Sequence, residues 1–269
     1  MNQKVFALLL AGLMSSCSAP DDRVRLEVTG SSTIAPLMSE MAKRYESRYP
    51  GVRIDIQTGG SSRGIADAAS GVADIGMSSR ALKDSEKGEV VSYRLAMDGV
   101  ALVVHADNPV KSLSDEQIVG IYTGAIENWK EVGGREAPIN CINRAEGRSE
   151  LELFQGFFGI APAAFQPDMI AGENQHGLKT VASDENAIIY LSIGASEYEV
   201  LNGTPIKLLP MRGVEASAEM VAAGTFPLSR PLILIVSSES SAPVKRFIDY
   251  VLSSEVHDLI RQQSYVPVQ

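Results

Sequence analysis

The chain has 269 residues, of which 45% are hydrophobic, and its formal net charge is −9. A chain of this length can bury a core that holds its fold without disulfides. The acidic balance excludes a protein whose main partner is nucleic acid, because a phosphate backbone requires a basic surface. With 3 histidines and 2 cysteines, a structural zinc site is also excluded, and we expect neither a metal ion nor a cofactor.

The N-terminus is predicted to direct export. Lys4 precedes the apolar run 5–13, which is too short to span a bilayer and is typical of a signal peptide. The letters "MSSC", ending at Cys17, resemble a bacterial lipobox, which implies removal of residues 1–16, lipidation of Cys17 and a tether over residues 17–23. An ordinary signal peptide with an incidental cysteine is the alternative.

The first part of the exported chain alternates between predicted strands and helices. Arg25–Thr29 is predicted to be a strand, and apolar residues from Ile34 onward recur at helical spacing. "GVRIDIQT" is predicted to be a second strand, and "GGSSRGIADAASG" a turn into a helix that ends at Gly71. A strand in "VADIGMSSRAL" completes a βαβαβ pattern, which indicates a parallel sheet.

The remaining chain continues the α/β pattern without a long linker. The runs "GVALVVH" and "RPLILIVS" are predicted to be buried strands, and capping boxes are predicted at Ser114 with Gln117 and at Ser149 with Glu152. A second lobe must therefore form by excursion of the chain. We predict lobe 1 over residues 24–104 with 229–269, and lobe 2 over residues 105–228.

Three segments place glycine and hydroxyl residues where a strand gives way to a helix. They are "TGSSTIAP", "GGSSRGI" and "NRAEGRSE". A helix start has unpaired N–H donors and a partial positive charge, glycine admits a ligand to the backbone, and hydroxyls add neutral donors. Plain helix capping explains any one segment, but three together predict an anion site.

Two ionisable residues refine this prediction. Arg144 offers a guanidinium that matches a tetrahedral oxyanion, although a surface pair with Glu146 is the alternative, and the two are compatible. Asp74 is predicted to accept a proton from the anion, which would favour hydrogen phosphate over sulfate. Its alternative role is only to end a strand.

These segments, with "ADIGMSSR" and "IYTGAIENWKEVGG", resemble the phosphate-binding proteins of bacterial phosphate ABC importers, which have the type II periplasmic-binding-protein fold. The resemblance runs from about Val28 to Pro267. It implies a two-lobed α/β fold with phosphate in the cleft between the lobes. It assigns phosphate contacts to Ser32, Thr33, Ser61, Ser62, Asp74 and Arg144, with Glu146 orienting Arg144.

The chain departs from the family pattern after the arginine. Where the family typically has Gly-Ser-Gly-Thr, this chain has Gly147, Arg148, Ser149 and Glu150. In one arrangement Arg148 and Ser149 bind the ligand, Gly147 supports the loop, and Glu150 points outward. In the other, Glu150 points inward and either repels phosphate or demands a second ligand proton. We favour the first.

The expected protein is an exported, monomeric lipoprotein, anchored through Cys17, that captures phosphate and delivers it to a membrane ABC permease. Three alternatives remain open: a phosphate sensor or surface interaction protein on the same scaffold, a binder of another tetrahedral oxyanion, and an enzyme acting on phosphate esters. The absence of paired metal ligands argues against the enzyme.

Overall fold

The computed structural model describes residues 23–88 and 90–268. The predicted signal peptide, Cys17 and nearly all of the tether lie outside these residues. In chain order the elements are β1 (Val24–Gly30), α1 (Ala35–Arg48), β2 (Val52–Thr58), α2 (Ser61–Ser70), β3 (Ile75–Ser78), β4 (Val90–His105), α3 (Asp115–Tyr122), β5 (Asn140–Arg144), α4 (Ser149–Phe158), β6 (Met169–Ala171), α5 (Asn174–Ser183), β7 (Ala187–Ser192), α6 (Ile193–Leu201), β8 (Ile206–Leu208), α7 (Ala218–Ala222), β9 (Ser229–Ser237), α8 (Ala242–Val251), α9 (His257–Gln262) and β10 (Val266–Pro267).

The strands follow the order β2-β1-β3-β9-β4-β7-β5-β6, with β8 and β10 pairing with β4. β1 pairs in parallel with β2 and β3, and β5 pairs in parallel with β6 and β7. β4 joins the two parallel groups: its first part pairs antiparallel with β9, and Val100–Val104 pairs antiparallel with β7. The α/β fold class is thereby confirmed.

Two large hydrophobic cores lie on either side of this junction. One is formed by residues from Leu26 to Ala96 and from Leu232 to Tyr265. The other is formed by residues from Val100 to Leu228. The chain therefore leaves one core along β4 and returns along β9, as expected for a two-lobed protein. The lobe boundaries stay a prediction, because β4 contributes residues to both cores.

Two local predictions were wrong. β4 begins at Val90 rather than near Gly99, because its first half, where polar and apolar side chains are mixed, pairs with β9. Ser149 does not cap α4: it is the first helical residue, and Arg148 occupies the N-cap position without a side-chain bond. The capping box at Ser114 and Gln117 is confirmed, as is the end of α2 at Gly71, whose φ is 73°.

Glycine is required where α2 packs against β1 and β3. A Cβ on Gly64 would lie 2.6 Å from the Met77 carbonyl oxygen and 2.8 Å from the Gly30 Cα atom. This contact brings the start of α2 close to the ends of both strands. A side chain at residue 64 would therefore push the predicted anion site apart.

Gly64→Ala is expected to lower the free energy of unfolding by about 1–3 kcal/mol, the usual cost of overpacking. Gly156 in α4 is the matched control, because a Cβ there meets nothing within 4 Å. Gly156→Ala should raise the free energy of unfolding by about 0.5–1 kcal/mol, since alanine is the better helix former. Urea denaturation measures both, and equal effects would refute the close-packing argument.

Candidate functional site

The candidate site lies at the carboxyl ends of β1, β3 and β5, where the two cores meet. Parallel α/β sheets characteristically bind ligands at this edge. Each strand is followed by a loop or helix start that contributes a polar side chain. The polar residues buried there are Ser31, Thr33, Ser61, Ser79, Arg144, Ser149, Glu150, Asn174 and Arg230.

Serine hydroxyls from both sides of the cleft meet at Ser79. Its Oγ atom lies 2.9 Å from the Oγ of Ser31, 3.3 Å from that of Ser61 and 2.7 Å from that of Ser149. Hydroxyl groups can donate or accept, so this cluster can reorient towards a ligand that replaces one member. The sequence interpretation included Ser61 and Ser149 but missed Ser31 and Ser79.

Arg144 is held rigidly at the end of β5. Its Nη1 atom donates to the carbonyl oxygens of Ala171 and Glu173, both at 3.2 Å. Its Nη2 atom donates to Oδ1 of Asn174 at 2.9 Å. The guanidinium is therefore oriented by β6 and α5, and Glu146, the orienting acid suggested by the resemblance, is exposed.

Arg230, which the sequence interpretation missed, is the second buried arginine. It lies at the start of β9, and its Nε and Nη2 atoms donate to Oδ2 of Asp98 on β4 at 3.0 and 2.8 Å. Its Nη1 atom donates to the Ser149 hydroxyl at 3.0 Å. Asp98 and Arg230 each lie just before the most apolar part of their strand, and these opposite charges were the available signal in the sequence.

Thr33 links the two arginines. Its hydroxyl accepts from Nδ2 of Asn174 at 3.0 Å and from Nη2 of Arg230 at 3.3 Å. It donates to Oε1 of Glu150 at 2.9 Å. Because Asn174 also binds Arg144, Thr33 completes a hydrogen-bonded path between the guanidiniums.

Glu150 points inward, which contradicts the favoured arrangement. Its Oε1 atom lies 3.0 Å from Nη1 of Arg230, and its Oε2 atom lies 3.8 Å from Nη2 of Arg144. Burial opposes ionisation of the carboxyl, but Arg230, Arg144 and the Thr33 hydrogen bond outweigh it and lower its pKa to about 2. Glu150 is therefore a carboxylate at neutral pH.

Arg148 pairs with a carboxylate outside the cluster, but its Nε and Nη1 atoms are buried and have no hydrogen-bond partner among the described residues. Its Nη2 atom pairs with Oε1 of Glu173 at 2.9 Å, at the start of α5. The predicted ligand role of Arg148 therefore stays a prediction. Glu150, which we expected to point outward, pairs with the two buried arginines Arg144 and Arg230. Arg148, which we expected to bind the ligand, pairs with Glu173.

Asp74 lies outside the site. It is exposed, and its Oδ2 atom accepts a hydrogen bond from the Glu27 backbone at 2.9 Å. Asp74 precedes β3 and so belongs to the amino end of the sheet, whereas Ser79 follows β3 at the site. The prediction that Asp74 lies in the pocket was therefore wrong, and Asp74 is not placed to accept a proton from the bound anion.

The two remaining predicted contacts lie at the edge of the cluster. Ser32 is half-buried beside Thr33. The Ser62 hydroxyl donates to Oε1 of Glu152 at 3.1 Å, and its backbone N–H donates to the carbonyl oxygen of Gly147 at 3.3 Å. Gly147 adopts a φ of 77°, which lets the loop before α4 approach α2.

A second ion cluster crosses the cleft next to the site. Arg80 pairs with Glu86 at 2.7 Å and with Glu152 of α4 at 3.2 Å. Lys83 pairs with the same Glu152 carboxylate at 2.6 Å. These ion pairs join the loop after β3 to α4, and none of them involves Arg144 or Arg230.

The chemistry of the site suits anion binding. It offers two guanidiniums and several hydroxyls, and the two positive charges are offset by the carboxylates of Asp98 and Glu150.

Burial raises the pKa of the Cys141 thiol to about 12, which leaves that thiol unreactive. Elsewhere in the described ranges, His105, Asp107 and Glu185 are close enough to share a metal ion, but Glu185 already pairs with Arg135 at 2.7 Å.

The fold and the cleft define a two-lobed solute-binding protein. The family model of the PBP superfamily domain matches residues 18–255, and the chain belongs to this family. More particularly, it is similar to the phosphate-binding protein PstS of Bacillus subtilis, with 28% identity over 90% of this chain and 80% of that protein. The resemblance to phosphate-binding proteins of ABC importers is thus confirmed.

Solved structures of phosphate-transport binding proteins are also similar to this chain. A putative phosphate ABC transporter substrate-binding protein from Clostridium perfringens, with bound phosphate, aligns with a TM-score of 0.84 and 34% identity, covering 91% of this chain and 100% of that one. An ABC-type phosphate transport receptor from Vibrio cholerae aligns with a TM-score of 0.68 and 29% identity over 91% of this chain and 100% of that one.

Proposed function

We propose that this protein captures inorganic phosphate outside the cytoplasm and delivers it to a membrane ABC permease. The observation that carries the proposal is the convergence of Arg144 and Arg230 with the Thr33 and Ser149 hydroxyls in one buried cluster. Relatives named as phosphate-binding proteins support phosphate as the ligand. The role is binding and release, and no covalent step is proposed.

The phosphate contacts proposed here differ from the initial set. Thr33, Ser61, Arg144 and Ser149 are retained because they lie in or beside the cluster, and Arg230 with Ser79 is added. Ser32 and Ser62 stay candidates through their position at its edge, as does Arg148 through its buried Nε and Nη1 atoms. Guanidinium hydrogen bonds to an anion contribute more than neutral ones, about 1.5–3 against about 1 kcal/mol each. Opening and closing of the lobes would admit and retain the ligand.

Isothermal titration calorimetry with phosphate, arsenate, sulfate and molybdate tests the proposal. Saturable binding of phosphate at one site per chain, with sulfate excluded, is the expected result. Absence of heat with every oxyanion would favour the alternative, a sensor or surface protein on the same scaffold. That alternative is kept because Glu150 supplies a carboxylate where an anion is expected to bind.

We further propose that the mature protein is a lipoprotein anchored through Cys17. In residues 23–88 and 90–268, no helix is long and apolar enough to cross a membrane. A lipid anchor would keep the protein near a permease, and two or more acyl chains give stable membrane attachment. Monomeric behaviour is part of the same proposal.

Cys17→Ser is expected to release the protein from the membrane fraction into the soluble fraction, because lipidation requires the thiol. Fractionation of cells expressing each form measures this, with Cys141→Ser as the control, since Cys141 is buried in the folded protein. Continued membrane association of the Cys17 variant would refute the anchor.

A further inference from the structure

The Glu150 carboxylate makes the contacts that a bound oxyanion would be expected to make. One oxygen accepts a hydrogen bond from the Thr33 hydroxyl at 2.9 Å and forms an ion pair with the Arg230 guanidinium at 3.0 Å. The other faces Arg144 at 3.8 Å. A carboxylate and a phosphate present similar pairs of oxygens to a guanidinium, so both compete for the same donors.

The formal charges of the buried cluster already cancel. Arg144 and Arg230 contribute two positive charges, and Asp98 and Glu150 contribute two negative ones. All four side chains are almost completely buried. Adding a phosphate anion to this neutral cluster would leave a net negative charge away from water, which is strongly unfavourable.

The other groups around Glu150 do not remove this conflict. Tyr190 of β7 and Tyr265 after α9 are both affected electrostatically by Glu150, and burial raises the pKa of each phenol, so both stay neutral. Asp98 of β4 lies behind Arg230 and already uses its charge. Asn174 of α5 is neutral, and the charge of Arg148, which acts on Arg144, is already offset by Glu173. Relief is therefore expected from Glu150 itself.

We propose that Glu150 is a built-in counter-anion, whose carboxylate must leave Arg144, Arg230 and Thr33 before phosphate can bind there. This inference rests on the proposed function and adds a specificity-determining residue to it. Glu150 then lowers the affinity of the site and speeds release of phosphate, because its carboxylate takes back the donors as the ligand leaves. Arg144 and Arg230 would stay neutralised throughout the cycle.

Glu150→Gln tests the inference by calorimetry with phosphate at neutral pH. Glutamine keeps the size of the side chain and can still accept from Thr33, but it no longer competes as an anion. We expect the dissociation constant for phosphate to fall at least about tenfold relative to the unaltered protein, since the cluster gains one net positive charge. An unchanged or weaker affinity would overturn the inference.

Glu152→Gln is the matched control, because it makes the same substitution on the same helix. Glu152 pairs with Arg80 and Lys83 rather than with Arg144 or Arg230, and the amide oxygen of glutamine can still accept the hydrogen bond from the Ser62 hydroxyl. Its phosphate affinity should stay within about twofold of that of the unaltered protein. A gain equal to that of Glu150→Gln would show that any loss of negative charge near the cleft suffices, and would overturn the specific role of Glu150.

The rise in melting temperature caused by phosphate provides a second measurement if Glu150→Gln is less stable. Each protein is compared with and without the ligand, so a loss of intrinsic stability cancels. We expect a larger rise for Glu150→Gln than for the unaltered protein. Weaker binding together with new sulfate binding would identify Glu150 as an acceptor of a ligand proton, which contradicts competition.

The outcomes separate this inference from the proposed function. If the unaltered protein binds phosphate and Glu150→Gln binds no tighter, only the inference fails. If Glu150→Gln alone binds phosphate, the inference stands in its strongest form. If neither protein binds, the proposed function fails and the inference fails with it.

Discussion

Arg230→Met is expected to lower the free energy of unfolding at pH 7 by about 3–5 kcal/mol and to abolish phosphate binding. Arg230 neutralises Asp98 at 2.8 Å and Glu150 at 3.0 Å, and all three side chains are almost fully buried. Without the guanidinium, the buried carboxylates of Asp98 and Glu150 lose the cation that they share. Methionine fills a similar volume, so the loss measures charge rather than an empty cavity.

Urea denaturation of the two proteins measures this loss, with Arg48→Met as the control. Arg48 pairs with Glu255 on the surface, where both side chains are about half exposed. Such exposed pairs contribute about 0–1 kcal/mol. If Arg230→Met destabilised the protein no more than Arg48→Met, the buried charge cluster would not have the strength assigned to it.

Arg144→Ala is expected to weaken phosphate binding by at least about 2 kcal/mol, which is roughly 30-fold in the dissociation constant. The acceptors that fix Arg144 all belong to the protein, so its guanidinium is prepositioned and needs little ordering when the ligand arrives. Its removal would leave Arg230 as the one buried cation in the described cluster.

Calorimetry measures the change, and Asp74→Asn serves as the comparison. Because Asp74 is exposed at the opposite edge of the sheet, its substitution should change neither phosphate affinity nor discrimination against sulfate. An unchanged dissociation constant for Arg144→Ala would remove Arg144 from the site. A large effect of Asp74→Asn would reinstate the initial proton-acceptor assignment.

The sequence predicted the fold well where local signals were strong. Apolar runs located β1, β2, β3 and β9, and Gly71 marked the end of α2, because only glycine readily adopts the positive φ of that position. The first half of β4 was missed because its side chains are mixed. Its pairing with β9 comes from a partner more than a hundred residues away.

The site was predictable only in part. Thr33, Ser61 and Ser149 follow from the composition of strand–helix junctions, and Arg144 from its place beside one of them. Arg230 could not be placed in this way, because it belongs to a strand rather than a junction. Sheet order decides its role, since β9 lies between β3 and β4 and so directs Arg230 against Asp98.

The orientation of Arg148 and Glu150 shows why motif substitution is difficult to read. Both residues replace neutral family positions two apart at the start of α4, and either could face inward. The choice depends on partners distant in the chain: Arg230 pairs with Glu150 inside the cluster, and Glu173 pairs with Arg148. Neither partner could be assigned from the local sequence.

Arsenate diffusion into crystals, followed by anomalous diffraction at the arsenic edge, tests the central claim most directly. Arsenate has the shape and charge of phosphate, and the anomalous signal locates its central atom without reference to any assumed contact. We predict one arsenic position with oxygens within hydrogen-bonding distance of both Arg144 and Arg230, and with the Glu150 carboxylate displaced from them. Arsenic bound only at the outer surface, with Glu150 still paired to both arginines, would contradict the account.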